Sequence, residues 1–476
     1  MDKDLFYIDG YYLDDFQIDC IKTDTNLLVI AGAGCGKTST ILGKVKYLIH
    51  NGVKTSEILC LSLTNEATKG LYNKLLNIGL DVECLTFHKL GLKIIKMFYN
   101  NMNICSDKLL EYIVNEYFLS VVRFSYRKYL LYFKFMSFKY DEIINSNAFL
   151  LYKNNLITFI NLLKNKGFDI DKIYDLYNNS FVNHDFLFLL EIYRIYDNEL
   201  RSNNSFDFND MISFSNKLVN ENRIVLPYKY IIIDEFQDSS MIRINLIKSI
   251  MKYNNAKIMC VGDDYQSIYR FAGSDIELFL KFKDHFKNSE IKYLKNTYRN
   301  SKELLRISNS FICKNKFQIK KELYSNKSNC KPIKILFSNN RINSLNYLLN
   351  LLGKDTMIIG RNNNDIYYYV EKSEDINNLN YYTAHKSKGL ESDNVILINL
   401  TNDILGFPSQ LKNSKIVDKL LSRELYKFDE ERRLFYVALT RTKNSVYLII
   451  DKSNMSIFVK ELIEDYKNYI EYIKKA

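Results

Sequence analysis

Short apolar runs recur along the chain, separated by stretches whose apolar residues fall at helical spacing. "NLLVI" (26–30), "EILCLSL" (57–63), "KYIIID" (229–234) and "AKIMCVG" (256–262) are too continuous for half-exposed strands. They predict strands buried on both faces, as in a parallel sheet. A second set follows in "KPIKILF" (331–337), "TMIIG" (356–360), "NVILINL" (394–400) and "SVYLII" (445–450). Two such sets predict two α/β domains. From about 93 to 195 the pattern changes to long helical periodicity dense in Tyr, Phe, Lys and Asn, which predicts a helical insertion into the first domain. The expected division is 1–92 and 196–290 for the first domain, 93–195 for the insertion and 291–476 for the second domain.

The first run leads into "VIAGAGCGKTST" (29–40). The chain has only 16 glycines, yet Gly32, Gly34 and Gly36 fall together and Lys37-Thr38 follows at once. Strand, glycine-rich turn and helix form the setting a phosphate-binding loop needs. Glycines let successive backbone N–H groups turn inward around an anion, and the helix N-terminus adds partial positive charge. The candidate cradle is Ala31, Gly32, Ala33, Gly34, Cys35, Gly36, Lys37, Thr38 and Ser39. Lys37 is expected to reach the β- and γ-phosphates and Thr38 to ligate Mg²⁺. Ala31 stands where G-x-x-x-x-G-K-[ST] has its first glycine. A glycine-rich turn without a ligand is the bland reading; Lys-Thr and the flanking elements favour phosphate.

Composition changes this picture little. A net charge of +11 suits a polyanionic partner, and a solvated lysine-rich surface gives the same total. The eight cysteines are scattered without a C-x-x-C pair, so disulfide, zinc and iron–sulfur frameworks are not expected and a reducing cytoplasm fits. The N-terminal "MDKDLFYIDGYYLDD" is acidic and polar, unlike a secretory signal. No run approaches the roughly eighteen apolar residues of a membrane span. "RFSYRKYLLYFKFMSFKY" (123–140) interleaves basic and aromatic residues. It reads either as a grip on nucleic acid or as an amphipathic helical face with snorkelling lysines.

"YIIIDEFQDSS" (230–240) ends a predicted strand with Asp234 and Glu235. Carboxylates at that edge of an open α/β sheet stand beside the phosphate loop. Asp234 is therefore expected to hold Mg²⁺, and Glu235 to orient and deprotonate a water. Adjacent acids after a strand can also cap the next helix; beside "GAGCGKT" the catalytic reading is preferred.

Further along stand "VGDDYQSIYRFAG" (261–273), "NTYRNS" (296–301), "TAHKSKGLESDNV" (383–395) and "EERRLFYVALTRTKN" (430–444). Together with the phosphate loop and the acidic pair, these resemble the ordered motifs of superfamily 1 helicases of the UvrD/Rep group. "VGDDYQSIYRFAGSD" with "LGFPSQ" (405–410) is similar to the helicase IV branch. "LDDFQ" (13–17) resembles the adenine-reading motif, "LSLTNEA" (61–67) and "LTFHKL" (85–90) the strand-contacting motifs, and "FDFNDM" (206–211) the acidic motif before the Asp-Glu strand.

The resemblance implies an α/β fold of two RecA-like parallel-sheet motor domains with P-loop NTPase chemistry and one helical insertion domain. It implies a monomeric ATP-dependent 3′→5′ DNA helicase and single-strand translocase, using ATP and Mg²⁺ on single-stranded and tailed duplex DNA. The alternative is a motor on RNA, or one needing a partner to unwind, because nothing here reveals a 2′-OH reader. It further implies that Gln17 bonds the adenine, Tyr298 stacks on it, and Gly389 and Glu391 lie near the triphosphate and ribose. Gln266 would sense the γ-phosphate, and Arg299 and Arg441 would contact it from the second domain. Thr64, Asn65, His88, Phe271 and His385 would touch the strand. Leu63, Phe271 and Ala272 depart from the family's usual aromatic, Trp and Arg. Where relatives carry a large accessory domain, only residues 362–382 stand here. That is below the roughly 40 residues an unaided domain needs, and it predicts a single helix leading into the next strand.

Overall fold

A computed structural model of the protein describes residues 3–99, 102–135, 139–179, 184–421 and 426–474. Residues 136–138 of the basic-aromatic stretch fall outside these. The first sheet is built from β1 (Asn26–Ile30), β2 (Ile58–Ser62), β3 (Glu83–Thr86), β4 (Tyr230–Ile233), β5 (Lys257–Gly262) and β6 (Ser289–Tyr293). They lie in the order β6-β1-β5-β4-β2-β3, every pair parallel. Along β1, Leu28 and Ile30 enter one apolar cluster while Leu27 and Val29 enter another. This is the two-residue alternation of a strand covered on both faces.

The second sheet contains β7 (Ile333–Phe337), β8 (Met357–Gly360), β9 (Tyr381–Thr383), β10 (Ser392–Leu397), β11 (Thr442–Ile450) and β12 (Ile470–Ile473). Their order is β9-β8-β10-β11-β7-β12, again all parallel. The α/β expectation of two parallel sheets holds. All eight strands foreseen from apolar runs are present, and the four that were not foreseen, β3, β6, β9 and β12, are the four sheet edges. Edge strands carry polar residues, as in "SEIKY", so a search for continuous apolar runs passes over them. One consequence is that the expected start of the second domain, 291, falls inside β6, which belongs to the first sheet.

Helices α1 (Asp15–Lys22), α2 (Lys37–His50), α3 (Asn65–Asn77) and α4 (Phe87–Phe98) belong to the first unit. Leu90, Ile94 and Ile95 of α4 bury against its sheet, so the helical insertion starts later than 93. Its own cluster is formed by α5 (Leu109–Glu116), α6 (Arg127–Phe135), α7 (Asn147–Asn165), α8 (Ile170–Asn178) and α9 (His184–Ser202). A short parallel pair, 103–104 with 205–206, closes its base. Helical periodicity runs through both expected boundaries, 93 and 195, and gives no sign of the change in packing partner. The chain then returns through α10 (Phe208–Asn220) and α11 (Met241–Asn254) to the first sheet, and α12 (Lys302–Ile312), α13 (Arg341–Leu352), α14 (Asp429–Leu439) and α15 (Ile457–Tyr466) cover the second.

Residues 362–382 hold two 3₁₀ turns, Asp365–Tyr369 and Ser373–Asn378, rather than the single helix expected. Ile366 and Tyr369 anchor the first turn in the second unit's core. The two units meet at a small apolar cluster of Ala33, Tyr265, Ile312 and Tyr436, where the Tyr265 and Tyr436 rings pack edge to face at 5.3 Å. Among the described residues no helix is long and apolar enough to cross a membrane.

Candidate functional site at the cleft between the sheets

The phosphate loop leaves β1 at the C-terminal edge of the first sheet. Gly34 and Gly36 have φ of 73° and 75°, the left-handed region that glycine enters without steric cost. A Cβ on Gly34 would come 2.5 Å from Cβ of Arg299, and one on Gly36 would come 2.5 Å from Nε2 of Gln17. The loop is therefore closed in by both units. Gly36 caps α2, and its carbonyl accepts from Thr40 N at 3.0 Å. Helix geometry leaves the amides of Gly36, Lys37, Thr38 and Ser39 without intrahelical partners, at the positive end of the helix. That set suits an anion.

Other expected contacts are already engaged. The Ala31 amide donates to Gly262 O at 2.9 Å and the Cys35 amide to Gly32 O at 3.4 Å. The side chains of Ala31, Ala33 and Cys35 are buried, and burial pushes the Cys35 thiol up to about 12. Ala33 O accepts from Thr297 Oγ1 at 2.7 Å. The Ser39 hydroxyl pairs with Tyr11 OH at 2.8 Å.

Lys37 Nζ donates to Glu235 Oε1 at 2.5 Å. Glu235 Oε2 accepts from Gln237 Nε2 at 2.5 Å, and Lys388 of the second unit lies 3.8 Å away. Glu235 sits at φ 51°, a left-handed backbone that costs a non-glycine residue roughly 1–2 kcal/mol and persists where surroundings hold it. Burial works to raise the Glu235 carboxyl, but the charges of Lys37 and Lys388 overcome it and hold it at about 2. Asp234 moves the other way: burial, then the Glu235 charge, raise it to about 6. A crowded carboxylate of this kind, at the end of β4 within electrostatic reach of Lys37, fits an ion that takes one or two carboxylates and completes its shell with phosphate oxygens and water.

Gln266 is the junction between the units. Its Nε2 donates to Asp263 Oδ2 at 2.6 Å, and its Oε1 accepts from Arg441 Nη2 at 3.2 Å. Its backbone carbonyl accepts from Lys388 Nζ at 2.7 Å. Arg441 is buried, with Nε on Val437 O (2.9 Å) and Nη1 on Leu390 O (3.3 Å). Burial, with Arg299 adding repulsion, pushes its guanidinium down to about 9. Arg299 Nε donates to Glu391 Oε2 at 2.9 Å.

Tyr298 is half exposed, and its hydroxyl donates to Asp14 Oδ2 at 2.6 Å. The same Asp14 caps α1 through Gln17 N. The carboxamide of Gln17 is engaged at both ends, accepting from Asp14 N at 3.0 Å and donating to Gly36 O at 3.3 Å. Gly389 has φ 88° with open space around it, so the backbone, not crowding, requires glycine there.

The strand-contact candidates divide in two. Thr64 and Asn65 head α3 and His88 heads α4, helices that leave the C-terminal ends of the neighbouring strands β2 and β3. Thr64 and Asn65 are exposed. His88 lies against Phe208 at 5.0 Å, and burial, with Arg243, lowers it to about 4. The second group bridges the units: Phe271 is 52% exposed and packs edge-on to His385 at 5.4 Å, with Tyr269 6.2 Å from each. Burial, Arg361 and Lys388 lower His385 to about 4, so both histidines present neutral rings near pH 7.

Sequence reasoning missed Lys388, Gln237, Asp263 and Lys321. Lys388 and Gln237 lay inside quoted motifs and could have been read as charge and amide partners of Glu235. Lys321 carries no such mark.

The family model for the UvrD/REP helicase N-terminal domain matches residues 14–287, and that for the UvrD-like helicase C-terminal domain matches residues 362–453. DNA helicase IV of Escherichia coli (strain K12) is 28% identical over 479 residues, 93% of this chain and 68% of that protein. The ATP-dependent DNA helicase Rep of Buchnera aphidicola subsp. Schizaphis graminum is 28% identical over 481 residues, 94% of this chain and 68% of that protein. A probable DNA helicase II homolog of Mycoplasma capricolum is 28% identical over 354 residues, 71% of this chain and 46% of its own length. The N-terminal match alone spans more than half of the sequence, and with two RecA-like sheets meeting at a shared cleft, the chain belongs to the UvrD/Rep helicase family.

Proposed function

We propose that the protein is an ATP-dependent DNA helicase that moves 3′→5′ along single-stranded DNA. The observation that carries this reading is the contact of Arg441 with Gln266 across the cleft, within electrostatic reach of Glu235. An arginine supplied by one domain to a nucleotide held by the other makes hydrolysis depend on closure.

In this reading Lys37 leaves Glu235 for the β- and γ-phosphates of ATP. Glu235, ionised at neutral pH, is then free to orient a water and accept its proton. Thr38 and Asp234 would hold Mg²⁺, which supplies neutralising charge at the phosphate oxygens. Gln17 and Tyr298 take the adenine, Gly389 and Glu391 lie by the triphosphate and ribose, and Arg299 and Arg441 stabilise charge. Closure draws His385 and Phe271, which face each other across the units, over the strand. Thr64, Asn65 and His88 hold it on the first unit. Alternating grip on these two groups converts closure and reopening into steps.

Unwinding of 3′-tailed, 5′-tailed and blunt duplexes by purified protein with Mg-ATP tests the proposal. ATP-dependent unwinding confined to the 3′-tailed duplex is expected. Preference for the 5′ tail would overturn the polarity, and higher ATP turnover with a matched RNA strand would overturn the assignment to DNA.

A further inference from the structure

The segment between α12 and β7 crosses the phosphate loop on its way back to the second sheet. Leu323 packs so closely on Gly32 that a Cβ there would come 2.4 Å from Leu323 Cδ1. Ile319 N donates to Asp264 Oδ2 at 3.0 Å. Between these two anchors Lys321 is buried. Its ammonium donates to Ala31 O at 3.1 Å, is bonded to Asp263, and pairs with Asp264 at 2.6 Å. It also lies 3.8 Å from the centre of the Tyr265 ring. Of the ammonium's three N–H donors, two go to the carbonyl and to Asp263, and the Asp264 carboxylate adds its charge at ion-pair distance. Lys321 is thus a second-unit cation seated inside the first unit, touching the phosphate loop and the end of β5 together.

Asp263 gives that seat its consequence. Its Oδ2 is the oxygen that accepts from Gln266 Nε2 at 2.6 Å, and Gln266 Oε1 is the atom that meets Arg441. A carboxamide held at its nitrogen end has its oxygen aimed. A buried carboxylate without a cation takes up a proton or moves toward water, and Gln266 then loses its fixed acceptor.

We propose that Lys321 is a positioning residue for hydrolysis: it clamps the phosphate loop to Asp263 and so fixes the Gln266 amide that meets Arg441. The inference rests on the reading that this cleft hydrolyses ATP in response to a bound strand.

The test compares strand-stimulated ATP turnover of the wild type, Lys321→Met, Gln266→Ala and the double variant. Lys321→Met should lower kcat by roughly 10²-fold, the scale of a misplaced catalytic geometry, while KM for ATP changes less than about threefold. The double variant should lose little beyond Gln266→Ala alone, because residues in one chain of contacts do not act additively. Lys321→Met leaves two buried carboxylates without their cation, so Lys321→Met/Asp264→Asn, which removes one of them, serves if the single variant does not fold. The same loss of kcat is expected of it. Turnover within about twofold of wild type in a folded variant, or losses that multiply in the double variant, would overturn the proposal. So would failure of both Lys321 variants to fold, which would make the residue structural. A wild type without strand-stimulated turnover would instead overturn the function proposed above.

Discussion

The cleft and the helical insertion treat their charges in opposite ways. In the cleft, cations reach from one unit to the other: Lys388 pairs with Asp238, Lys321 with Asp263 and Arg441 with Gln266, around a Lys37–Glu235 pair inside the first unit. In the insertion, cations pair with partners on neighbouring helices. Arg127 Nε donates to Glu191 at 2.9 Å, Lys134 pairs with Asp185, and Lys153 donates to Asn115 at 2.6 Å. The insertion's interior is instead aromatic, with Phe118 edge-on to Phe149 and Phe188 at 5.0 and 5.6 Å. Local pairs add stability to one body. Pairs that span two bodies make the position of one depend on the other, which a device driven by closure requires. Arg127, whose stretch reads from sequence either as a nucleic-acid grip or as an amphipathic helical face, belongs to the local kind.

Removing a cleft group should therefore cost rate, and removing an insertion group should cost stability or nothing. The largest effect is expected for Glu235→Gln, which removes the proton acceptor and should lower strand-stimulated ATP turnover by roughly 10⁴-fold while the protein still binds strand. Residual turnover above about a tenth of wild type would remove Glu235 from the chemistry. Arg441→Ala should lower turnover by roughly 10³-fold, the lower range of arginine fingers, with a smaller effect on ATP affinity. A loss below about tenfold would transfer that role to Arg299.

Lys164→Met tests a place where the insertion and the first unit share a buried charge. Lys164 of α7 is buried between Asp207 and Asp210, the latter at 2.8 Å, and the adjacent Asn165 donates to Ala272 O at 3.3 Å. Stranding two carboxylates should destabilise the protein by about 3 kcal/mol, read by urea unfolding. A change below about 0.5 kcal/mol would mean that the insertion is merely attached. Phe271→Ala should weaken single-strand binding by roughly 1–3 kcal/mol, one base–aromatic stack. Unaltered affinity would move the stacking role to Tyr269. Smallest of all, Phe124→Ala on the insertion's surface, where the ring is 83% exposed, should shift stability by less than about 0.5 kcal/mol.

What the sequence disclosed follows the same division. Central strands were legible because burial on both faces demands continuous apolar runs; the edges β3, β6, β9 and β12 were not, because edges carry polar residues. The phosphate loop and the Asp234-Glu235 pair were legible because their chemistry fixes residue types at short spacing. Lys321 was invisible, since its partners Asp263 and Ala31 lie 58 and 290 positions away and only the fold brings them together. Ile416, Val417 and Leu420 of the second unit, which pack into the insertion's core, were hidden for the same reason.

On the proposed function, ATP hydrolysis in this cleft answers to a bound strand, because the groups proposed to act on phosphate and those proposed to face the strand straddle the same two bodies. Steady-state ATP turnover of the wild-type protein, measured with Mg-ATP across a titration of single-stranded DNA, tests it most directly. A low rate without DNA that rises to saturation as the strand binds is expected. A rate that is the same at every DNA concentration, including none, would contradict it.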